Sequence, residues 1–395
     1  TTVLELWRDD PEILKKCQER YKFVHVDEYQ DVSPIQIKLV ERLVEPHKNI
    51  CVVGDPDQTI YSWRGAQANS MDDFLKTYPE ATTSILTKNY RNSQLILKGA
   101  EALIAHNEGR TPKELEATVK GETPITLWEN TDEWRANEAL FYLLEQFFGS
   151  HDHMASADHL DTGRDEDFRG FNDVAILYRT QAQGRQLAAH LSKKGYPFQL
   201  SAMPNFWEHK EIQGFLEKLT ALREIGKFPG ETPFSEWFRE QLDEFIWHQS
   251  IPENKQGRMM QLLPIAMAFD SLPHDEALSE FLDEANITQD ADNIVKADKI
   301  NLLTLHAAKG LEFPIVIIMG LEENRLPHKK LKDDPYWLAE ERRLLYVGMT
   351  RASEQLYLFT NQKNDSKILE PSRFIAEIGT ENLTFGQLPQ KRAVS

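Results

Sequence analysis

The feature that most narrows the fold is a rhythm. Short apolar runs rich in Val, Ile and Leu alternate with longer stretches of helical spacing. Strand-length runs lie at 23–26, 50–53, 125–129, 173–178, 300–305, 313–319 and 355–360, and a further strand is expected at 84–87. Helices are expected at 11–20, from Pro34 onward with Ile37, Val40, Leu43 and Val44 on one face, and at 93–106, 132–148, 181–194 and 335–349. Parallel strands need a crossover between them, and helices supply it. The alternation therefore predicts an α/β fold with a largely parallel sheet. Residues 208–295 break the rhythm with helical patterns and no convincing strand. Between Asp270 and Lys299 there are nine acidic residues against two lysines, so a solvated, mostly helical insertion is expected.

Charge and cysteine content exclude several classes. The 395 residues carry 45 Lys+Arg and 63 Asp+Glu, a net charge of −18, which argues against a histone-like or basic-tail nucleic-acid binder but leaves room for a locally basic groove. No apolar run approaches the ~18 residues needed to span a bilayer. Cys17 and Cys51 are too few for a disulfide framework or a Cys-rich zinc site, so a reducing, cytoplasmic setting is expected. His151, His153 and His159 fall in a polar segment at 149–172. His-x-His spacing suits a metal, but an exposed loop is the better reading because no ordered element fixes the geometry. The chain opens on Thr1-Thr2, which leads us to expect a piece of something longer.

Five segments carry chemistry. In 23–31 (FVHVDEYQD) an apolar strand delivers Asp27 and Glu28 at its C-terminal edge. Nucleotide hydrolases place Mg²⁺ this way: one carboxylate holds the ion and its neighbour orients or deprotonates the attacking water. A surface turn with solvated acids gives the same pattern. In 54–65 (GDPDQTIYSWRG) a buried strand stops at Gly54. Gln58 there has an amide able to bond both a phosphate oxygen and a water. Tyr61, Trp63 and Arg64 combine aromatic faces with a cation, as stacking of unpaired bases requires, although core packing explains any one aromatic as well. In 87–93 (TKNYRNS) Tyr90 and Arg91 sit at a strand-to-helix junction, suited to a purine and a phosphate; a plain helix cap on Asn92 or Ser93 is the alternative. The segment 301–313 (NLLTLHAAKGLEF) places His306 and Glu312 in a loop between buried strands. Finally, 340–352 (EERRLLYVGMTRA) is a helix whose end projects Arg351. That residue has the position of an arginine finger, or of one member of ordinary Glu/Arg pairs.

In this order and spacing the blocks VDEYQD, GDPDQTIYSWRGA, NYRNS, ILYRTQAQGR, TLHAAKGLEF and EERRLLYVGMTRA resemble motifs II to VI of the UvrD/Rep/PcrA group of superfamily 1 DNA helicases, from Val26 to Ala352. The resemblance implies RecA-like, P-loop-NTPase-type parallel sheets with helices on both faces. It implies ATP and Mg²⁺ as cofactors, with Asp27 on the metal and Glu28 as base. Gln58 would be the γ-phosphate contact, and Arg91 and Arg351 would reach the phosphates. Tyr90 would stack on the adenine and Glu312 would take the ribose. Tyr61, Trp63 and Arg64 would touch single-stranded DNA, and His306 would lie between the two sites. It also implies a domain layout: 1–86 as the end of a first motor domain, 87–206 and 296–395 as a split second one, and 207–295 as a shortened insertion. Movement would run 3′ to 5′ in DNA repair or replication.

One family element is absent from the sequence. The phosphate-binding loop G-x-x-x-x-G-K-[ST] does not occur; the nearest stretch, Gly226-Lys227-Phe228, lacks the first Gly and the Ser/Thr and follows no strand. The expectation is the C-terminal portion of a helicase, inactive until joined to an N-terminal segment that carries that loop. Its other partners would be single-stranded DNA, single/double-strand junctions and a repair or replication loading protein. The competing expectation is a truncated, non-catalytic module that binds DNA or a protein partner. Retention of Asp27, Glu28, Gln58, Arg91 and Arg351 together disfavours it.

Overall fold

The computed structural model describes residues 2–62, 69–119, 121, 123–149, 169–200, 209–226, 232–260, 262–267, 269–270, 272–287, 298–364 and 367–389. The chain forms two compact units, Thr1–Gln199 with Ala297–Ser395, and Leu200–Lys296.

The first unit begins α1 (Thr2–Asp9), α2 (Pro11–Arg20), β1 (Val24–Val26), α3 (Pro34–Val44), β2 (Ile50–Val52) and α4 (Ser70–Thr77). It continues through β3 (Lys88–Ser93), α5 (Gln94–Ile104), β4 (Glu116–Val119), β5 (Ile125–Asn130), α6 (Glu133–Phe148), β6 (Val174–Tyr178), α7 (Gln181–Lys194) and β7 (Phe198–Leu200). The second unit holds α8 (Lys210–Ile225), α9 (Phe234–His248), α10 (Glu253–Met259), α11 (Leu262–Met267) and α12 (His274–Ile287). The chain then returns to the first unit with β8 (Ile300–Thr304), β9 (Phe313–Met319), α13 (Pro335–Met349), β10 (Ala352–Asn361), a small antiparallel pair β11 (Lys363–Asn364) and β12 (Lys367–Ile368), α14 (Arg373–Ile378) and β13 (Leu383–Phe385).

A seven-stranded sheet, ordered β13-β5-β10-β9-β6-β8-β7, organises the first unit. Strands β13, β5, β10, β9, β6 and β8 run parallel. Its central strands are continuous apolar runs: β6 is buried at every position and β9 at every position but Pro314. Burial of successive residues, which point to opposite sides, requires cover on both faces. This is the expected RecA-like α/β arrangement. The second unit leaves after β7 and returns at β8, its neighbour, so it interrupts the sequence without interrupting the sheet. Two smaller parallel pairs, β1 with β2 and β3 with β4, carry the remaining strands of this unit that bear on the site.

The strand expected at 84–87 is displaced to 88–93. Ile85 and Leu86 are 56% and 81% exposed, and the chain becomes a strand only where Lys88 and Asn89 meet Glu116 and Ala117. That pairing is long-range and leaves no mark in the local period. The three- and four-residue strands β4, β7 and β13 escaped sequence reading for the same reason.

Close packing between layers depends on Gly184, in α7. A Cβ there would lie 2.4 Å from both Cζ and the hydroxyl of Tyr178, a fully buried ring at the end of β6. A rigid ring in a filled core cannot yield, so Gly184→Ala is expected to destabilise the protein by about 1–3 kcal/mol, as overpacking does. A thermal melt that matches the wild type would show that the helix can slide away at no cost.

Past Leu200, where β7 ends, the described residues of the second unit form helices and contain no strand. Phe215, Phe234, Phe238, Phe245, Phe281 and Trp237 form its aromatic core. A buried carboxylate, Glu211, is paired with Arg258 and Lys255. Among the described residues no helix is long and apolar enough to cross a membrane.

Candidate functional site

The acidic end of the site forms where β1 and β2 stop side by side. Asp27 and Glu28 follow β1 and are exposed. Glu28 adopts a left-handed backbone conformation (φ 49°), sparsely populated by residues other than glycine; the Asp27 carboxylate accepts its N–H at 2.9 Å, and its carbonyl accepts the Asp31 N–H at 2.9 Å. Buried Gln30 joins the two strand ends. Its Oε1 accepts the Asp55 N–H at 2.9 Å, and its Nε2 donates to Glu28 Oε2. Gly54 permits this approach: a Cβ there would sit 2.5 Å from Gln30 Oε1 and 3.3 Å from the backbone nitrogen of Tyr29.

The cationic end is set by sheet register. Ala352 pairs with Phe313, so the residues before them, Arg351 and Glu312, arrive at the same edge. Arg351 does not project from its helix as expected; it is 2% exposed. Its Nε donates to Val347 O at 2.9 Å, Nη1 to Leu311 O at 3.2 Å, and Nη2 to Thr350 Oγ1 at 3.1 Å and Gln58 Oε1 at 3.5 Å. The turn inward brings the guanidinium to two backbone carbonyls, Val347 O, which it shares with the Thr350 hydroxyl, and Leu311 O. Burial, with the nearby Arg91 adding to it, draws its pKa down to about 10, so it remains a cation at neutral pH. Arg91 Nε donates to Glu312 Oε2 at 2.6 Å. The neighbouring Asn92 is not a helix cap. It is buried and donates to Thr350 O at 3.0 Å and Ala352 O at 2.7 Å, bracketing Arg351. Ser93 takes the N-cap position of α5 without a side-chain cap bond. The Tyr90 ring is 74% exposed.

Lys309 closes the gap between the two ends. Its ammonium bonds Asp31, lies 3.3 Å from Glu28 Oε2 and donates to the Gln58 carbonyl at 2.8 Å. It also sits 5.5 Å from the centre of the Tyr61 ring. Burial raises the Asp31 pKa, and Lys309 offsets part of that rise. Tyr61 donates its hydroxyl hydrogen to His306 O at 3.2 Å, and the two rings are 6.3 Å apart. Glu28, Gln58, Arg351, Tyr61 and His306 thus come together, with Arg91 and Glu312 at the Arg351 edge. Trp63, Arg64, His151, His153 and His159 lie outside the described residues.

Sequence reading gave Asn92 only a helix-cap role and gave Gln30, Arg110, Lys113, Lys309 and Arg343 none. Arg110 Nε contacts both oxygens of buried Asp57 at 2.9 and 3.0 Å. Lys113 pairs with Asp55 and Asp57, and Arg343 Nε donates to Thr59 O at 2.7 Å. Lys309 stood in a block already singled out. Arg110 and Lys113 gave only two cations in a polar stretch, which most surface loops also show.

A doubly covered parallel sheet with these groups at its edge defines a RecA-like α/β protein. Residues 1–79 match the UvrD/REP helicase N-terminal domain, and residues 85–225 and 233–363 match the UvrD-like helicase C-terminal domain. The chain belongs to the UvrD-like helicase family. It is similar to the ATP-dependent DNA helicase PcrA of Bacillus subtilis (strain 168), 31% identical over 482 positions that cover 100% of this chain and 63% of that protein. PcrA of Leuconostoc citreum is 31% identical over 96% of this chain and 60% of its own length. PcrA of Staphylococcus aureus (strain NCTC 8325 / PS 47) is 32% identical over 95% and 60%. The chain therefore spans about three fifths of the length of these relatives.

Proposed function

We propose that the chain is the C-terminal portion of an ATP-dependent DNA helicase that couples ATP hydrolysis to 3′-to-5′ movement on single-stranded DNA and to duplex opening. The observation that carries this is the meeting of Gln58 with Arg351 at 3.5 Å and, through Lys309, with Glu28. Residues nearly 300 positions apart converge on one acid, one amide and one buried cation, the groups phosphoryl transfer needs.

The donor set suits Mg²⁺, which takes one or two carboxylates and completes its shell with waters and phosphate oxygens. Among the described residues no group of three or more His, Cys, Asp or Glu offers a closed metal cage. Asp27 would hold the ion, whose charge neutralises phosphate oxygens when bound. Glu28 takes the proton of the attacking water. Gln58 orients the γ-phosphate, and Arg351 and Arg91 stabilise the negative charge that develops on it. Arg91 must release Glu312 to do so, freeing Glu312 for the ribose, while Tyr90 stacks on the base. Tyr61, Trp63, Arg64 and His306 form the path to single-stranded DNA and to single/double-strand junctions. In this reading 1–86 completes a first motor domain, 87–206 and 296–395 form the second, and 207–295 is the insertion. Cytoplasmic DNA repair or replication, with a loading protein, is the setting.

The 395-residue chain lacks the loop that cradles the β- and γ-phosphates. Alone it should bind ATP weakly and release no phosphate at a DNA-stimulated rate. Joined to a segment carrying that loop, it should show turnover that rises with oligo-dT. Robust stimulated turnover by the chain alone would overturn the half-site reading. No turnover by the joined protein would favour a non-catalytic module.

A further inference from the structure

The loop holding Gln58 is fastened by groups that the catalytic reading does not use. Asp55 is their centre. Its Oδ2 accepts from Gln58 Nε2 at 2.9 Å; its Oδ1 accepts from the Asp57 N–H at 3.0 Å and from Lys113 Nζ. Lys113 Nζ also reaches Asp57 Oδ2 at 3.1 Å, and Arg110 holds both oxygens of Asp57. Asp57 is nearly buried, and the backbone of Gln58 is pinned by its own N–H to Asp55 O at 2.9 Å and by Lys309 at its carbonyl. The remaining freedom of Gln58 is the direction of its amide.

We propose that Lys113, anchored beside Arg110, is a positioning residue that sets the Gln58 amide through Asp55, and this rests on the helicase reading above. An ionised carboxylate only accepts hydrogen bonds, so the NH₂ of Gln58 must face Asp55 and its oxygen must face away, toward Arg351. A protonated Asp55 would donate as well and lose that discrimination. Burial pushes the Asp55 carboxyl up, but the Lys113 ammonium, with the smaller help of the Gln58 amide and the Asp57 N–H, more than offsets this and holds it below the ordinary carboxylate value. Lys113 thus sorts the two faces of an amide it does not touch.

The test is a double-mutant cycle in the protein joined to its phosphate-binding segment, using Lys113→Met, Gln58→Ala and both together. Lys113→Met should lower DNA-stimulated kcat roughly 10-fold while KM for ATP stays within about twofold, because the lost interaction matters at the transition state. In the Gln58→Ala background the same change should alter kcat less than about twofold, since residues acting as a unit are not additive. Lys113→Arg should restore most of the rate. If Lys113→Met does not fold, Asp55→Asn replaces it: an amide that can donate in place of an acceptor should give the same loss. Effects that multiply independently, or an unchanged kcat, overturn the proposal. A wild type without stimulated turnover would instead be the failure of the helicase reading. Hydrogen exchange in the 395-residue chain then decides the positioning claim: the Asp57 amide should exchange roughly 10-fold faster in Lys113→Met. Unchanged exchange counts against it.

Discussion

Glu28→Gln, in the protein joined to its phosphate-binding segment, is expected to keep ATP affinity and lose hydrolysis by roughly 10²–10⁴-fold, the usual contribution of a positioned base. Glutamine preserves the shape of the side chain and can still meet the Gln30 amide with its oxygen. It cannot accept a proton from water. The variant should also fold normally, because Glu28 is exposed and its left-handed backbone is held by main-chain and Asp27 bonds that the substitution leaves intact. Single-turnover phosphate release and equilibrium nucleotide binding separate the two effects. Near-normal turnover would mean that Glu28 is one more acid in a surface turn, paired with Lys309 for solubility or stability alone. Weak binding without a rate defect would move its role from chemistry to nucleotide or metal capture.

How much of this was legible in the sequence depended on whether the signal was local. The buried strands β6 and β9 were readable because both faces are covered, which forces an unbroken apolar run. Helices α2, α7 and α13 start at Pro11, Gln181 and Pro335, where start signals and an apolar stripe coincide. The carboxylates, the amide and the arginines were legible as types because they sit on or close after short apolar strands or at a junction between strand and helix. Their partners were not. Nothing near Asn92 indicates that its amide reaches the carbonyls on either side of Arg351, some 260 residues on. Nothing near Lys113 points to Asp55, since the register of a loop against a distant loop has no period. The direction of Arg351 was misjudged for a related reason. A helix-terminal arginine reads as solvated unless one knows that Leu311 and Val347 present carbonyls to it.

That burial makes Arg351→Ala the second large effect. As an arginine finger the side chain would be worth roughly 10³–10⁵ in kcat. It is also a structural cross-link, because its removal strips the Arg351 donor from half-buried Leu311 O, at about 1–3 kcal/mol for an acceptor left unpaired, while Val347 O keeps the Thr350 hydroxyl at 3.0 Å. The melting temperature should therefore fall as well. The two losses separate if kcat is measured well below the lowered melting point, where the protein is folded. Arg351→Lys supplies a charge but not the fork that serves Val347, Leu311 and Thr350 at once, so it should recover part of the stability and little of the rate. The pH behaviour follows from the sign of the shift. A cation whose folded pKa is lowered carries its burial cost at every pH below about 10 and loses that cost only above it. Between pH 6 and 9 neither stability nor turnover should titrate with Arg351. A folded Arg351→Ala protein with wild-type turnover would assign Arg351 to the frame of the site and leave the phosphate charge to Arg91.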